Sequence, residues 1–194
     1  MKYDPEKHHR RSIRLKGYDY SQPGAYFITL VTQDRACLFG EVVDGEMRLN
    51  AWGKIARQCW FDIPVHFPHA ALDAFVVMPN HIHGVIIIVG DRGTACRAPT
   101  PEQFGKPVAG SIPTIIRSYK SAVAKRINEH RGTPGAPVWQ RNYFEHIIRN
   151  SDELHRIREY ITNNPLQWAL DRENLDVVRA THASPLQKNE PWCT

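Results

Sequence analysis

Two histidines at a spacing suited to holding a metal ion stand in the run Val76-Val77-Met78-Pro79-Asn80-His81-Ile82-His83-Gly84-Val85-Ile86-Ile87-Ile88-Val89. The run reads as two apolar strands separated by a Pro-Asn corner, the second opening on His-Ile-His. Successive side chains of a strand point to opposite faces, so His81 and His83 share a face and Ile82 takes the other. Neutral imidazoles so placed can bind a divalent cation in cis, leaving positions for a third ligand and a substrate oxygen. The same pattern also fits histidines that cap a strand and hydrogen-bond to backbone, and His-x-His by itself leaves both readings open. A second pair of chemically useful groups is Tyr160 and Asn164, four residues apart and so one helical turn from each other on one face. An edge tyrosine that buries its ring and leaves its hydroxyl wet would have the same spacing.

The elements that must carry these residues can be read from periodicity. Val85 to Val89 do not alternate with polar residues, the pattern of a central strand covered on both faces. The histidines are therefore mounted on a rigid element. Asn150 and Glu153 are spaced as a capping box, so a helix starts there and runs towards Asn164, where Pro165 ends or kinks it. Leu154, Ile157 and Ile161 form its apolar stripe, with Tyr160 at the stripe's edge. Pro165 leaves open whether Asn163 or Asn164 faces inwards, and the helical spacing favours Asn164.

Around these lie a first strand over residues 24–32, a hairpin over 38–49 turning at Asp44-Gly45, and a helix over 51–65 capped by Asn50. That helix has Ile55, Cys59 and Ile63 on one stripe, with Trp52 and Trp60 flanking it as core residues, and Pro64 and Pro68 bring it to an end. A strand over 72–78 leads into the Pro-Asn corner, and the Gly- and Pro-containing stretch 91–110 is a loop bordering a possible substrate cleft. Ser111 opens a helix running to about His130, whose apolar positions Ile112, Ile116, Tyr119, Val123 and Ile127 place Tyr119 in the buried stripe. Residues 138–141 and 143–148 read as one interrupted strand or two short ones.

With 194 residues the chain fits one domain with tails. Its four cysteines, Cys37, Cys59, Cys96 and Cys193, form no Cys-x-x-Cys pair, so neither a zinc ribbon nor a disulfide framework is indicated and a reduced, cytoplasmic protein is expected. No apolar run reaches the length of a membrane span, and the start lacks the apolar segment of a secretory signal. The net charge of +5 favours a polyanionic partner. Residues 7–16 are basic and precede Tyr18 and Tyr20, a combination suited either to tracking phosphates and stacking on bases or to a solvated arm.

Three blocks then come in order: Met78-Pro79-Asn80-His81-Ile82-His83-Gly84, Trp139-Gln140-Arg141-Asn142-Tyr143-Phe144-Glu145-His146-Ile147-Ile148-Arg149, and Tyr160-Ile161-Thr162-Asn163-Asn164-Pro165. Together they resemble the signature blocks of the REP-associated tyrosine transposases, single-tyrosine members of the HUH group that act on single-stranded DNA. The resemblance covers roughly residues 26–169. It implies an α+β fold, an antiparallel β-sheet with packed helices of ferredoxin-like type, in which His81 and His83 are metal ligands, Asn164 is the third ligand and Tyr160 is the nucleophile. It divides the chain into a basic arm (1–20), a transposase domain (21–170) and a tail (171–194). Neither the Asp44-Gly45 hairpin nor the loop 91–110 matches a family block.

The chemistry implied is metal-dependent nicking and rejoining of DNA. Two imidazoles and an amide oxygen suit Mg²⁺ or Mn²⁺, which would polarise a phosphoryl oxygen. Attack by the Tyr160 phenolate would give a 5′-phosphotyrosyl enzyme and a free 3′-hydroxyl. The implied partner is single-stranded hairpin DNA of the REP-like palindrome type, with a homodimer left open and no membrane involved. Arg10, Arg11, Arg14 and Lys16 of the arm, with Arg117, Lys120 and Arg141, are the candidate DNA contacts. Two other functions share the residues: a hairpin-binding protein that no longer cuts, and a metallohydrolase using His81, His83 and a distant third histidine such as His146.

The arm yields a direct test. Affinity for a hairpin oligonucleotide, followed as a function of salt, falls steeply, and neutralising Arg10, Arg11 and Arg14 flattens that slope. An unchanged slope places the arm outside the interface.

Overall fold

The computed structural model describes residues 18–90, 108–171 and 173–174. The basic positions Arg10, Arg11, Arg14 and Lys16, most of the loop 91–110 and the whole of the tail beyond Asn174 lie outside them. The strands are β1 (Gly24–Val31), β2 (Gly40–Val43), β3 (Glu46–Leu49), β4 (Ala70–Val77), β5 (His81–Ile88) and β6 (Phe144–Ile148). The helices are α1 (Ala51–Phe61), α2 (Ile63–His66), α3 (Ile112–Arg131) and α4 (Ser151–Asn163), with 3₁₀ turns at Gln33–Arg35 and Trp168–Leu170. Among the described residues no helix is long and apolar enough to cross a membrane.

β4, β5, β1 and β6 form one sheet in that order, every neighbouring pair antiparallel. Setting aside the β2–β3 hairpin and the single turn of α2, the chain order is β1-α1-β4-β5-α3-β6. β4 therefore runs parallel to β1 with β5 between them, the split β-α-β arrangement of a ferredoxin-like fold. The expected α+β antiparallel architecture is the observed one.

Two apolar layers cover the sheet. On one face Tyr26, Ile28 and Leu30 of β1 and Ile82, Ile86 and Ile88 of β5 pack against Ala56, Cys59 and Trp60 of α1 and Ile112, Ile116, Tyr119, Val123 and Ile127 of α3. On the other face Phe27 of β1 and Val85 of β5 meet Ile157 and Ile161 of α4. β5 is buried on both sides, and so its apolar run does not alternate.

Most sequence-derived elements are present, with shifts that have local causes. The Asp44-Gly45 turn puts both residues at positive φ, as a primed hairpin turn requires. Asn50 caps α1 by accepting from the Gly53 amide at 2.9 Å. The helix, however, stops at Phe61 rather than near Val65. Asp62 caps it, and Pro64 lies in the first turn of α2 instead of ending α1, consistent with proline's tolerance there. The buried face of α1 carries Gly53, Ala56, Cys59 and Trp60; Cys59 and, beyond the helix, Ile63 are in the core as expected, while Ile55 is only half-buried and the Trp60 indole takes the larger share of the burial. Ser111 precedes α3 but gives its hydroxyl to the Val108 carbonyl, so it makes no side-chain cap. Residues 138–148 are two pieces: Trp139 forms an isolated bridge with Thr32, and β6 follows.

Gly84 of β5 lies against Trp60 of α1. A Cβ there would run into the six-membered ring of the Trp60 indole, which is fully buried and stacks on Phe75 with ring centroids 4.7 Å apart. Gly84→Ala therefore costs about 1–3 kcal/mol of stability through overpacking, measured as a lower midpoint in urea denaturation. An unchanged midpoint would mean that Trp60 can withdraw without loss.

Candidate active site at the start of β5

The site begins with register. Pairing aligns His83 with Thr29 of β1 and Val76 of β4, and His81 with Val31, so both imidazoles lie on the α4 face. The ring centroids of His81 and His83 are 4.5 Å apart. Phe27, two residues along β1 from Thr29, stacks on His83 with centroids 5.4 Å apart and the planes inclined by 22°. Nδ1 of His83 lies 2.9 Å from the Thr29 hydroxyl and Nδ1 of His81 lies 2.9 Å from Asn80 Oδ1. Each Nε2 is thus the nitrogen turned into the site.

α4 brings the tyrosine. Asn150 Oδ1 accepts from the Glu153 amide at 2.8 Å, half of the expected capping box. The return half differs: the Glu153 carboxylate accepts from the Arg149 amide at 2.7 Å and from His146 Nε2 at 2.7 Å, rather than reaching the Asn150 amide. One helix end is thereby tied to β6, while Arg158 pairs with Asp73 of β4 through two contacts of 2.7 Å. That guanidinium holds the Asp73 carboxyl below its usual range against the opposing effect of burial. Clamped at both places, α4 sets the Tyr160 ring edge-on to His83, with centroids 5.1 Å apart, and its hydroxyl 3.3 Å from His83 Nε2.

One turn beyond Tyr160, Asn164 is 2% exposed, and its Oδ1 has no hydrogen-bond partner among the described residues. Asn163 is exposed, which resolves the ambiguity at the helix end. After Asn164 the chain turns back through Trp168–Leu170, placing the Trp168 ring 6.0 Å from that of His81. Asp171 follows. Its Oδ1 accepts from the Glu173 amide at 2.7 Å, leaving Oδ2 directed at His81 Nε2, 3.8 Å away. Ligand atoms of His81, His83 and Asp171 all lie within 4.8 Å of one another. Two imidazoles and a carboxylate this close, with a buried unpartnered amide oxygen on the neighbouring turn, are a donor set that a divalent cation fits.

Asp171 is the residue that sequence reasoning missed. It lies in the stretch assigned to a tail, and no spacing or capping signal links it to a histidine 90 residues earlier. His146, considered as a distant third ligand, pairs with Glu153 instead and is not in the histidine–aspartate group. Tyr119 is a core residue as expected: it is buried, its hydroxyl donates to the Ala56 carbonyl at 3.1 Å, and burial pushes its pKa well above the usual tyrosine value. Of the candidate DNA contacts, Arg117 and Arg141 are exposed. The Lys120 ammonium caps the carbonyls of Gln140, Arg141 and Asn142, and burial lowers its pKa to about 8. Arg117 and Lys120 belong to α3, across the sheet from Tyr160.

No protein-family model matches the chain. It is 41% identical over 179 residues to an uncharacterized protein of Haemophilus influenzae, covering 90% of this chain and 98% of that one. It is 26% identical over 151 residues to a second H. influenzae protein named "Putative REP-associated tyrosine transposase", covering 77% and 74%. Among solved structures, a REP-associated tyrosine transposase bound to a REP hairpin superposes with a TM-score of 0.48 at 19% identity, covering 84% of this chain and 75% of that one. A Deinococcus radiodurans protein described as a "putative transposase" gives 0.41 at 21%, covering 77% and 97%. The chain is thus similar in sequence to a protein named as a REP-associated tyrosine transposase.

The anchoring of α4 has a pH signature. Burial alone would raise the Glu153 pKa, but the Arg149 amide and His146 outweigh it and hold the carboxyl below its usual range. A depressed folded-state pKa stabilises the fold above the unfolded carboxylate value and ceases to do so as pH falls through the folded one. Glu153→Ala accordingly costs about 1–3 kcal/mol in urea denaturation at neutral pH, and the gap to the unaltered protein closes in acid. A gap independent of pH would show that the carboxylate charge does not hold the helix.

Proposed function

We propose that the protein nicks and rejoins single-stranded DNA in a metal-dependent reaction, using Tyr160 as a covalent nucleophile, and that its substrates are hairpin-forming palindromes. One observation carries this reading: the Tyr160 hydroxyl, on α4, meets the His-x-His pair of β5 at hydrogen-bonding distance. The name of the H. influenzae relative that this chain matches over three-quarters of its length supports the same class of reaction.

His81, His83, Asp171 and Asn164 are the residues that would hold Mg²⁺ or Mn²⁺. Bound there, the cation supplies polarisation of a phosphoryl oxygen and charge stabilisation as the phosphate is attacked. Tyr160, after loss of its phenolic proton to solvent, attacks phosphorus. The new Oη–P bond forms as the P–O3′ bond breaks, and the departing 3′-oxygen takes up a proton to leave a free 3′-hydroxyl. The 5′-phosphate stays on Tyr160. A 3′-hydroxyl attacking that phosphorus reverses the sequence, releasing the phenol and joining strands with no external energy source. The Tyr160 hydroxyl lies 3.3 Å from His83 Nε2, so the imidazole orients the phenol beside the donor set. Phe27 packs edge-on against the Tyr160 ring, with centroids 6.1 Å apart.

The test is incubation with a labelled single-stranded hairpin and Mg²⁺ or Mn²⁺, read on a denaturing gel. A slower-migrating covalent adduct forms with the unaltered protein and with Tyr119→Phe provided that variant is folded, and is lost in Tyr160→Phe. Tight hairpin binding with no adduct from any of the three would instead identify a hairpin-binding protein that does not cut. An adduct that persists in Tyr160→Phe would assign the nucleophile to another residue.

A further inference from the structure

We propose that Asn80 is the positioning residue of the candidate metal centre: its side-chain amide selects which nitrogen of His81 carries the proton and fastens the segment that bears Asp171 over the same ring. The inference rests on the reading of His81 as a metal ligand and adds to it a residue that acts through that ligand.

Asn80 is fully buried at the corner between β4 and β5. The corner is already held by backbone bonds, with the Thr32 amide donating to the Asn80 carbonyl at 2.8 Å and the Met78 amide to the His81 carbonyl at 2.8 Å. The side chain is therefore available for something else. Its Nδ2 donates to two carbonyl oxygens, that of Arg35 at 3.1 Å and that of Glu173 at 2.7 Å. Flipping the amide would point its own oxygen at both carbonyls, so its orientation is determined. Oδ1, which has no proton to give, then faces His81 Nδ1 at 2.9 Å. Nδ1 must carry the hydrogen, and in the neutral ring Nε2 is left with its lone pair turned towards His83 and Asp171. His83 lacks such a device: the Thr29 hydroxyl can donate or accept, so it does not fix the tautomer.

The two donated bonds do a second job. Arg35 lies in a turn where Asp34 and Arg35 both have positive φ, and its guanidinium meets the Glu173 carboxylate at 2.8 Å. Asn80 bonds to the main chain of both Arg35 and Glu173, so one amide joins the β1–β2 connection, the chain after Trp168 and the histidine. Asp171, two residues before Glu173 and bonded to its amide, is set over His81 by this arrangement.

The test uses the metal-free full-length chain. Long-range proton–nitrogen NMR of the His81 ring reads the tautomer, and Mn²⁺ titration followed by electron paramagnetic resonance reads affinity. The expected result is a protonated Nδ1 in the unaltered protein. In Asn80→Ala a mixture of tautomers replaces it and Mn²⁺ binds about 10- to 100-fold more weakly. Asn80→Asp, which keeps an acceptor for Nδ1, restores the tautomer and most of the affinity, whereas amide exchange at Trp168 and Glu173 quickens because their tether is gone. A protonated Nε2 in the unaltered protein, or an Asn80→Ala variant with unchanged ring signals and affinity, overturns the proposal. Should Asn80→Ala fail to fold, the unaltered protein and Asn80→Asp decide it. Mn²⁺ affinity of the unaltered protein no greater than that of His81→Ala would overturn the metal-site reading, while the ring spectra still decide the role of Asn80.

Discussion

The antiparallel pairing of β5 with β1 is the constraint on which the rest depends. Side chains alternate with a period of two, so sliding that pairing by one residue would exchange the faces of every side chain. Ile82, Ile86 and Ile88 are held on the α1–α3 face by a continuous apolar layer, and Gly84 leaves the space that Trp60 fills. The cost of exposing that layer fixes the register. His81 and His83 are the odd-numbered partners of these residues, and they face α4 because the isoleucines cannot.

The opposite face carries a smaller apolar patch, and that is what makes a reactive site possible there. Phe27, Val85, Ile157 and Ile161 fill the middle of the α4 layer, but at the His81 end of β5 the layer becomes polar. Thr29, Asn80, His81, His83 and Asn164 are all buried there. Burying so many polar groups is unfavourable unless each finds a partner. Thr29 and Asn80 serve the two histidines, and Asp171 lies across from them. Asn164 Oδ1 is the oxygen that the described residues leave without a bond, on the turn immediately after the tyrosine. On the proposed function, a donor set already desolvated and directed inwards would have little reorganisation left to make on binding a cation and a phosphate.

α4 combines a firm hold with a reactive edge. Its first turn is locked to β6 through Glu153, and its middle to β4 through Arg158 and Asp73. Tyr160 can then be presented at the edge of the apolar stripe without unseating the helix, since Ile157 and Ile161 supply the burial and the tyrosine is left half-buried. The contrast with Tyr119 is a matter of surroundings. Both tyrosines lie on helices against the same sheet, but Tyr119 is sealed between α1 and α3 with its hydroxyl bonded to a backbone carbonyl, where desolvation suppresses ionisation.

Local rules were enough to read much of this from the chain. Alternation put His81 and His83 on one face, the unbroken apolar run made β5 central, Asn150 marked the start of α4, and the helical period paired Tyr160 with Asn164. Each of these depends on residues within a few positions of one another, where backbone geometry alone dictates direction. Folding decided what local geometry does not reach. Asp171 joins the histidines because the chain reverses at Trp168–Leu170 and is caught by Asn80 and by Arg35, a residue 138 positions from its partner Glu173. The Glu153 carboxylate turned to Arg149 and His146 because β6 lies beside the helix start. The sequence by itself determined which faces His81, His83, Tyr160 and Asn164 occupy, through periodicities of two and 3.6 residues. Only the tertiary structure decided which of those faces meet, because distant segments are brought together by the burial of apolar surface and the partnering of the polar groups buried with it.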